Sequence, residues 1–300
     1  MLNVEFQNLL VRSFTLDWLE LSWEIKNTTL DPHDFDWSVE RSESPLGPWD
    51  PLTDAFQDRY QFIDNRVNLE HRWRQLYYRL KSVRKNDATD VVYSDAATLA
   101  ADPDLIAQEI RLLEQTVFKE FIGRTCWLFP VRTFGQYCPH CMDVGKGGTY
   151  RKIRSNCLTC YDTKYARGYM DPMELSVQFD PSPKAQQALG TGETQQSNTT
   201  ARMSYFPLVK PGDIIVEPEN RRWRVVKVSS TERLRAKVHH EMTLHEISKG
   251  DIEFAMEIDV GELRNLAPSP ERNFSNPQNL EAFEDEAIAA TLVAYGYDNE

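Results

Sequence analysis

The chain has 300 residues, 41% of them hydrophobic and 11% aromatic, with a formal net charge of −12. That is enough apolar material for two or three ordinary cores and excludes a wholly disordered polymer. The acidic excess argues against nonspecific affinity for nucleic acid over the whole molecule, because that affinity rests on Lys and Arg neutralising phosphates. No run of eighteen apolar residues marks a membrane span, and Met1-Leu2-Asn3-Val4-Glu5 lacks the basic start and apolar core of a secretory signal. The expectation is a protein made in a cytoplasm, with no membrane partner.

Residues 14–99 carry the period-two pattern of short strands. Leu19, Leu21, Trp23 and Ile25 alternate, as do Phe35, Trp37 and Val39, then Leu76, Tyr78 and Leu80, with Val91-Val92-Tyr93 last. Turn signals at Asp31-Pro32, Ser44-Pro45-Leu46-Gly47-Pro48 and Asp64-Asn65 cut the run into hairpins, and about seven strands of this kind predict a β-sandwich over 1–100. Trp23, the Trp37 strand, the Ser-x-x-Gly-Pro-Trp turn ending at Trp49 and the Tyr77-Tyr78-Arg79-Leu80 strand together resemble a fibronectin type III domain. The resemblance implies a module that binds or spaces other proteins and supplies no catalytic residue.

A helix is predicted over 101–124. Asp102 can cap it, Pro103 sits where a missing amide is harmless, and Gly123 can stop it. Ile106, Ile110, Leu113, Val117 and Phe121 form its apolar stripe, which can pack against the rest of the chain or lie on a partner subunit.

The strongest chemical signal follows, in the region 125–179. Cys138-Pro139-His140-Cys141 and Cys157-Leu158-Thr159-Cys160 form two CxxC pairs fifteen residues apart, the spacing of a four-thiolate zinc ribbon. Two residues between cysteines let both sulfurs turn onto one ion, and Gly145, Gly147 and Gly148 suit the hairpin between the pairs. Lys146, Arg151, Lys152 and Arg154 offset the charge of four thiolates. With Cys138, Cys141, Cys157 and Cys160 filling the shell, the zinc is expected to be structural and His140 is not needed. Two disulfides or a redox CxxC are the weaker alternatives, and Cys126 reads as a buried thiol.

Residues 180–204 read as an extended loop between strand-like ends, and 205–260 as a small β-barrel with strands from Asp213, from Trp223, over 237–244 and over 252–258. An acidic tail occupies 261–300, with a short helix expected over 281–294. Arg221-Arg222-Trp223-Arg224 reads as a hairpin with Trp223 inside and its arginines outside. Alternation sets His239 and Glu241 on one face, away from His240, which argues against a second metal site that would add His245 and Glu246. The basic stretch 138–169 and the acidic stretch 271–300 suit complementary contacts between subunits.

The predicted fold class is thus mainly β: a sandwich, one linking helix, a zinc ribbon and a small barrel. No GxSxG, GxxxxGK[ST] or HExxH motif is present, so no catalytic residue is assigned and the chain is expected not to be an enzyme. Lys210-Pro211-Gly212-Asp213-Ile214-Ile215, Arg222-Trp223-Arg224-Val225 and Gly250-Asp251-Ile252-Glu253-Phe254 resemble the barrel of phage head-closure and head-to-tail adaptor proteins. That resemblance implies a virion neck protein forming a homo-oligomeric ring, with portal, neck or tail proteins as neighbours and DNA passing through without specific binding. A sandwich and a ribbon make a larger build than the family's usual single barrel. A zinc-ribbon nucleic-acid-binding or regulatory protein, and a baseplate or tail-fibre adaptor, are the alternatives.

Overall fold

The computed structural model describes residues 4–14, 18–65, 67, 75–99, 105–144, 150–180, 198–233 and 236–265. The predicted cap at 102–104, the glycines between the CxxC pairs and the acidic tail helix lie outside them.

The alternating segments near the N-terminus become two sheets. In the first, β1 (Phe6–Ser13), β2 (Leu19–Ile25) and β5 (Gln61–Asp64) pair in the order β1-β2-β5. In the second, β3 (Phe35–Ser42), β4 (Asp50–Pro51), β6 (Tyr77–Arg84) and β7 (Asp87–Tyr93) run β4-β3-β6-β7, with β8 (Ala97–Thr98) also on β6. One face of each buries into a shared core: Val11, Leu21, Trp23 and Ile25 from the first, and Phe35, Trp37, Val39, Tyr78 and Leu80 from the second. All but Val11 are predicted alternating positions, because each inward side chain is two residues from the next along its strand. Tyr78 stays satisfied there by donating to Asp64 at 2.8 Å, which also accepts from Arg41 at 2.9 Å.

Helix α1 (Leu105–Thr116) continues as a π-helical turn over Val117–Ile122. It ends at Gly123, whose amide donates to Phe118 at 2.8 Å. Gly123 has φ −84°, so it stops the helix through close approach: a Cβ here would lie 2.0 Å from the Phe118 carbonyl oxygen. The helix turns its apolar stripe outward, the second of the two arrangements its pattern allowed. Ala107, Gln108, Arg111, Gln115 and Phe118 are turned inward, while Ile106, Leu113, Val117 and Phe121 of the predicted stripe are exposed.

β9 (Arg124–Phe129), β12 (Met173–Phe179), β13 (Asn198–Ser204), β14 (Ile214–Val216), β15 (Arg222–Arg233) and β16 (Ala236–Glu246) close into a barrel in the order β12-β13-β16-β15-β14-β9. It is larger than the predicted 205–260 segment: β9, β12 and β13 belong to it, and the cysteine region is inserted between β9 and β12. β12 pairs with β13, Val177 opposite Met203, so the ends of the predicted 180–204 loop form a hairpin. The interior is filled at every second position by Cys126, Leu128, Leu175, Val177, Ala201, Met203, Ile215, Trp223, Val225, Met242 and Leu244. Cys126 is the predicted buried thiol, and burial pushes its pKa up. The expected strand at 252–258 is instead a 3₁₀ turn, Ile252–Ala255, followed by α2 (Val260–Asn265). Met256 and Leu263 pack there on Trp127, Phe129, Ile214 and Val216, covering the outer wall of β9 and β14. That cover buries Arg222, which was expected in solvent: its guanidinium donates to the Phe254 and Met256 carbonyls, each at 2.8 Å.

All these elements belong to one compact unit. No helix among the described residues is long and apolar enough to cross a membrane. Phe14 and Ile63 of the N-terminal part meet Tyr205 and Phe206 of the barrel part in a separate apolar cluster.

His240 is buried near the middle of β16, its Nδ1 2.8 Å from the Ser230 hydroxyl. Burial, with Lys237 nearby, pushes its pKa down to about 4. Between that value and the usual ~6.5 the unfolded chain binds a proton that the native one refuses, so stability rises with pH in this window, by about 3 kcal/mol. Asp213, raised chiefly by burial to about 7, acts in the opposite sense. The expected result is that the stability difference between the wild type and His240→Gln, from urea titrations, grows from pH 4 to pH 6.5. Parallel pH profiles would refute it.

Candidate metal centre

The cysteine lobe grows from a stem of paired backbone. Val131 bridges Tyr169, Arg132 donates to Gly168 at 2.9 Å, and Tyr137 bridges Tyr165. Past the stem, Cys138 and Cys141 form the first knuckle, and Cys141 leads directly into β10 (Met142–Val144), which pairs with β11 (Tyr150–Lys152). The chain returns to a second knuckle at Cys157 and Cys160. Within the knuckles, Met142 donates to the Cys138 carbonyl at 3.1 Å, Ile153 to Cys141 at 2.9 Å, and Thr163 to Cys160 at 2.9 Å.

The four predicted ligands come together. Each of Cys138, Cys141, Cys157 and Cys160 is buried, and their sulfurs all lie within 4.8 Å of one another. Cys138 Sγ is 3.8 Å from Cys157 Sγ and Cys141 Sγ is 3.3 Å from Cys160 Sγ. A disulfide needs about 2.05 Å, whereas sulfurs bound tetrahedrally at about 2.3 Å lie about 3.8 Å apart. The donor set therefore fits a metal ion.

Electrostatics point the same way. Burial pushes the Cys141 thiol up. At Cys157 burial acts likewise, but the amides of Thr159 and Cys160 and the thiols beside it prevail and bring that group down to about 7. The Cys157 thiolate forms readily, and those of Cys141 and Cys160, both raised by burial, are costly unless a cation sits among them.

Asp162 steadies the second knuckle. Its carboxylate accepts from the Asn156 and Cys157 amides at 3.2 Å each and meets Lys152 at 3.1 Å. Gly168 lets the stem approach: it has φ +72°, and a Cβ would stand 2.7 Å from the Cys160 carbonyl oxygen.

No protein-family model matches the chain, and no curated protein matches it either. What the lobe does must come from its own chemistry.

Two features escaped the sequence reading. Tyr137 stacks between Tyr150 and Tyr165, with ring centres 3.9 and 5.2 Å away, although these three lie apart in sequence. His33, Asp58 and Asp171 also place three potential ligand atoms within 4.8 Å. Asp58 is committed elsewhere: it receives the Arg132 guanidinium, the Tyr60 hydroxyl at 3.0 Å and His33 at 3.2 Å. This cluster is a buried ion pair joining the lobe stem to the N-terminal sheets. The histidines 239, 240 and 245 join no metal-holding group among the described residues.

Proposed function

We propose that the protein is a structural, non-enzymatic component of a tailed-bacteriophage virion: a neck ring protein joining the portal end of the head to the tail. One observation carries the reading. Two of the motifs that resemble head-closure and adaptor barrels lie in or beside strands of the closed barrel, and the third is bonded to them from a turn outside its wall: Arg222 donates to the Phe254 carbonyl and Arg224 meets Glu253 at 2.7 Å, while Asp213 accepts from the Lys210 and Val131 amides at 2.7 Å each. Gly212, at φ +97°, makes the turn that aims Asp213 inward. The two sheets around Trp23, Trp37 and Tyr78 support a fibronectin type III-like module that faces other virion proteins.

Cys138, Cys141, Cys157 and Cys160 hold structural zinc in this reading. Four thiolates favour a soft or borderline cation over calcium or magnesium, and a closed shell leaves no position for substrate. The acidic chain lets DNA pass without sticking.

A symmetry-resolved cryo-electron reconstruction of the source virion, with zinc measured in the same preparation, tests this. A ring between capsid and tail carrying metal in the lobe is expected. A chain absent from the virion would sink the proposal.

The tyrosine stack beside exposed Arg151 and Arg154 favours a second reading, nucleic-acid binding. Against it, Tyr137 already has a tyrosine on each side, leaving no face for a base. Salt-dependent DNA binding by the purified chain would revive that reading.

A further inference from the structure

The outward side of α1 and its π-helical end carries Leu105, Ile106, Leu113, Val117, Phe121 and Ile122, all between 40% and 78% exposed. The helix cannot roll over to hide them. Its inner polar side is tied down, with Gln108 bonded to the Ser13 hydroxyl and Arg111 donating to the Lys237 carbonyl at 2.5 Å and to Ser13 at 2.7 Å. The six side chains present on the order of 500 Å² of apolar surface, at the upper end for a free monomer. Covering it would bury on the order of 1,000 Å² over both partners, the size at which specific interfaces begin.

Charge selects what covers it. The exposed charged side chains of this helix are acidic, Glu109 and Glu120, while half-buried Glu114 sits 3.8 Å from His239. On the cysteine lobe, Tyr150, Ile153 and Leu158 are exposed apolar side chains close in sequence to exposed Arg151, Arg154 and Lys164, with one exposed acid, Asp143, opposite Arg151. The knuckles hold two of them in place: Ile153 donates to the Cys141 carbonyl, and Leu158 lies between Cys157 and Cys160. The helix thus joins exposed apolar side chains to acidic ones, and the lobe joins them to mostly basic ones.

We infer that α1 of one copy docks on the cysteine lobe of a second copy. The surfaces differ, so the contact is head-to-tail and repeats from copy to copy, closing into a ring where the rotation allows. Helix-on-helix pairing would instead set acidic side chains against acidic ones. The inference deepens the ring reading above and rests on it for the closed geometry. It also gives the metal centre a task, which is to present Ile153 and Leu158 at fixed positions.

Two full-length variants test it: Glu109→Lys with Glu120→Lys on the helix, and Arg151→Glu with Arg154→Glu on the lobe. Sedimentation and native mass spectrometry should show the wild type assembling and each variant alone associating at least tenfold more weakly, with circular dichroism unchanged. An equimolar mixture should assemble again, with the two chains in equal number, because each reversed surface then meets its complement. The inference is overturned by a wild type that stays monomeric, by a lobe variant that assembles normally, or by a mixture that fails to recover. Recovery in the mixture with no ring in any virion would leave the contact standing and remove the neck reading. A ring that survives both reversals would do the opposite.

Discussion

Replacing Cys157 with Ser is expected to abolish stoichiometric metal binding and to unfold the lobe while leaving the barrel folded. Structural zinc contributes about 10–16 kcal/mol to the folding of isolated finger peptides, and among the described residues the lobe has only a small apolar cluster of its own. The lobe's own sheet has two three-residue strands, and its cluster consists of the four cysteines with Met142 packed against them. The stem, by contrast, is anchored from outside. Phe134 packs in the N-terminal core, 4.7 Å from the Tyr60 ring, and the Gly135 carbonyl accepts from Thr28 at 3.1 Å. Hydrogen exchange should therefore speed up by orders of magnitude at Cys138, Ile153 and Cys160, and change little at Val177, Met203 and Met242. A chelator acting on the wild type should give the same map. Equal loss of protection in the barrel would mean that the metal holds the whole unit together.

What the sequence made legible depended on how local each determinant is. The CxxC pairs carry their geometry in four cysteines at fixed spacing, so the candidate ligands could be named before any fold was known. Alternation likewise announced β2, β3 and β6, because a half-buried strand repeats every two residues. The barrel was harder. β9 and β12 lie on either side of the lobe, and each shows two inward residues, Cys126 and Leu128 or Leu175 and Val177, too few to reveal a shared interior. Helix α1 stayed undecided for a different reason: its stripe at 106, 110, 113, 117 and 121 is a correct helical pattern, but pattern gives the apolar face and not what that face meets. Here Gln108 and Arg111 take the inner side through hydrogen bonds to Ser13 and Lys237, partners that no spacing announces. Asp58 and Arg132 were missed similarly, since 74 residues separate the two halves of their ion pair.

That pair carries the second large effect. Arg132 and Asp58 have side chains only 2% and 1% exposed, and the two-pronged contact leaves no water between them. Arg132→Met is expected to cost about 3–5 kcal/mol, because removing one member strands the other charge in a medium that solvates it poorly. The double variant Arg132→Met with Asp58→Leu should recover much of that loss, since an apolar pair of similar volume avoids desolvating either charge. Denaturant titrations of the two variants read this directly; equal destabilisation would show that shape, rather than charge, governs the site. pH gives an independent check. Burial alone would raise the Asp58 carboxyl, but the bond from His33 and the charge of Arg132 prevail and hold it below the usual carboxylate range. A depressed carboxylate stabilises the fold above its unfolded pKa of ~3.9 and loses that contribution as pH falls through the lower folded value. Below about pH 4 the wild type should therefore lose stability faster than the double variant, whose junction between lobe stem and N-terminal sheets carries no titrating carboxyl at position 58.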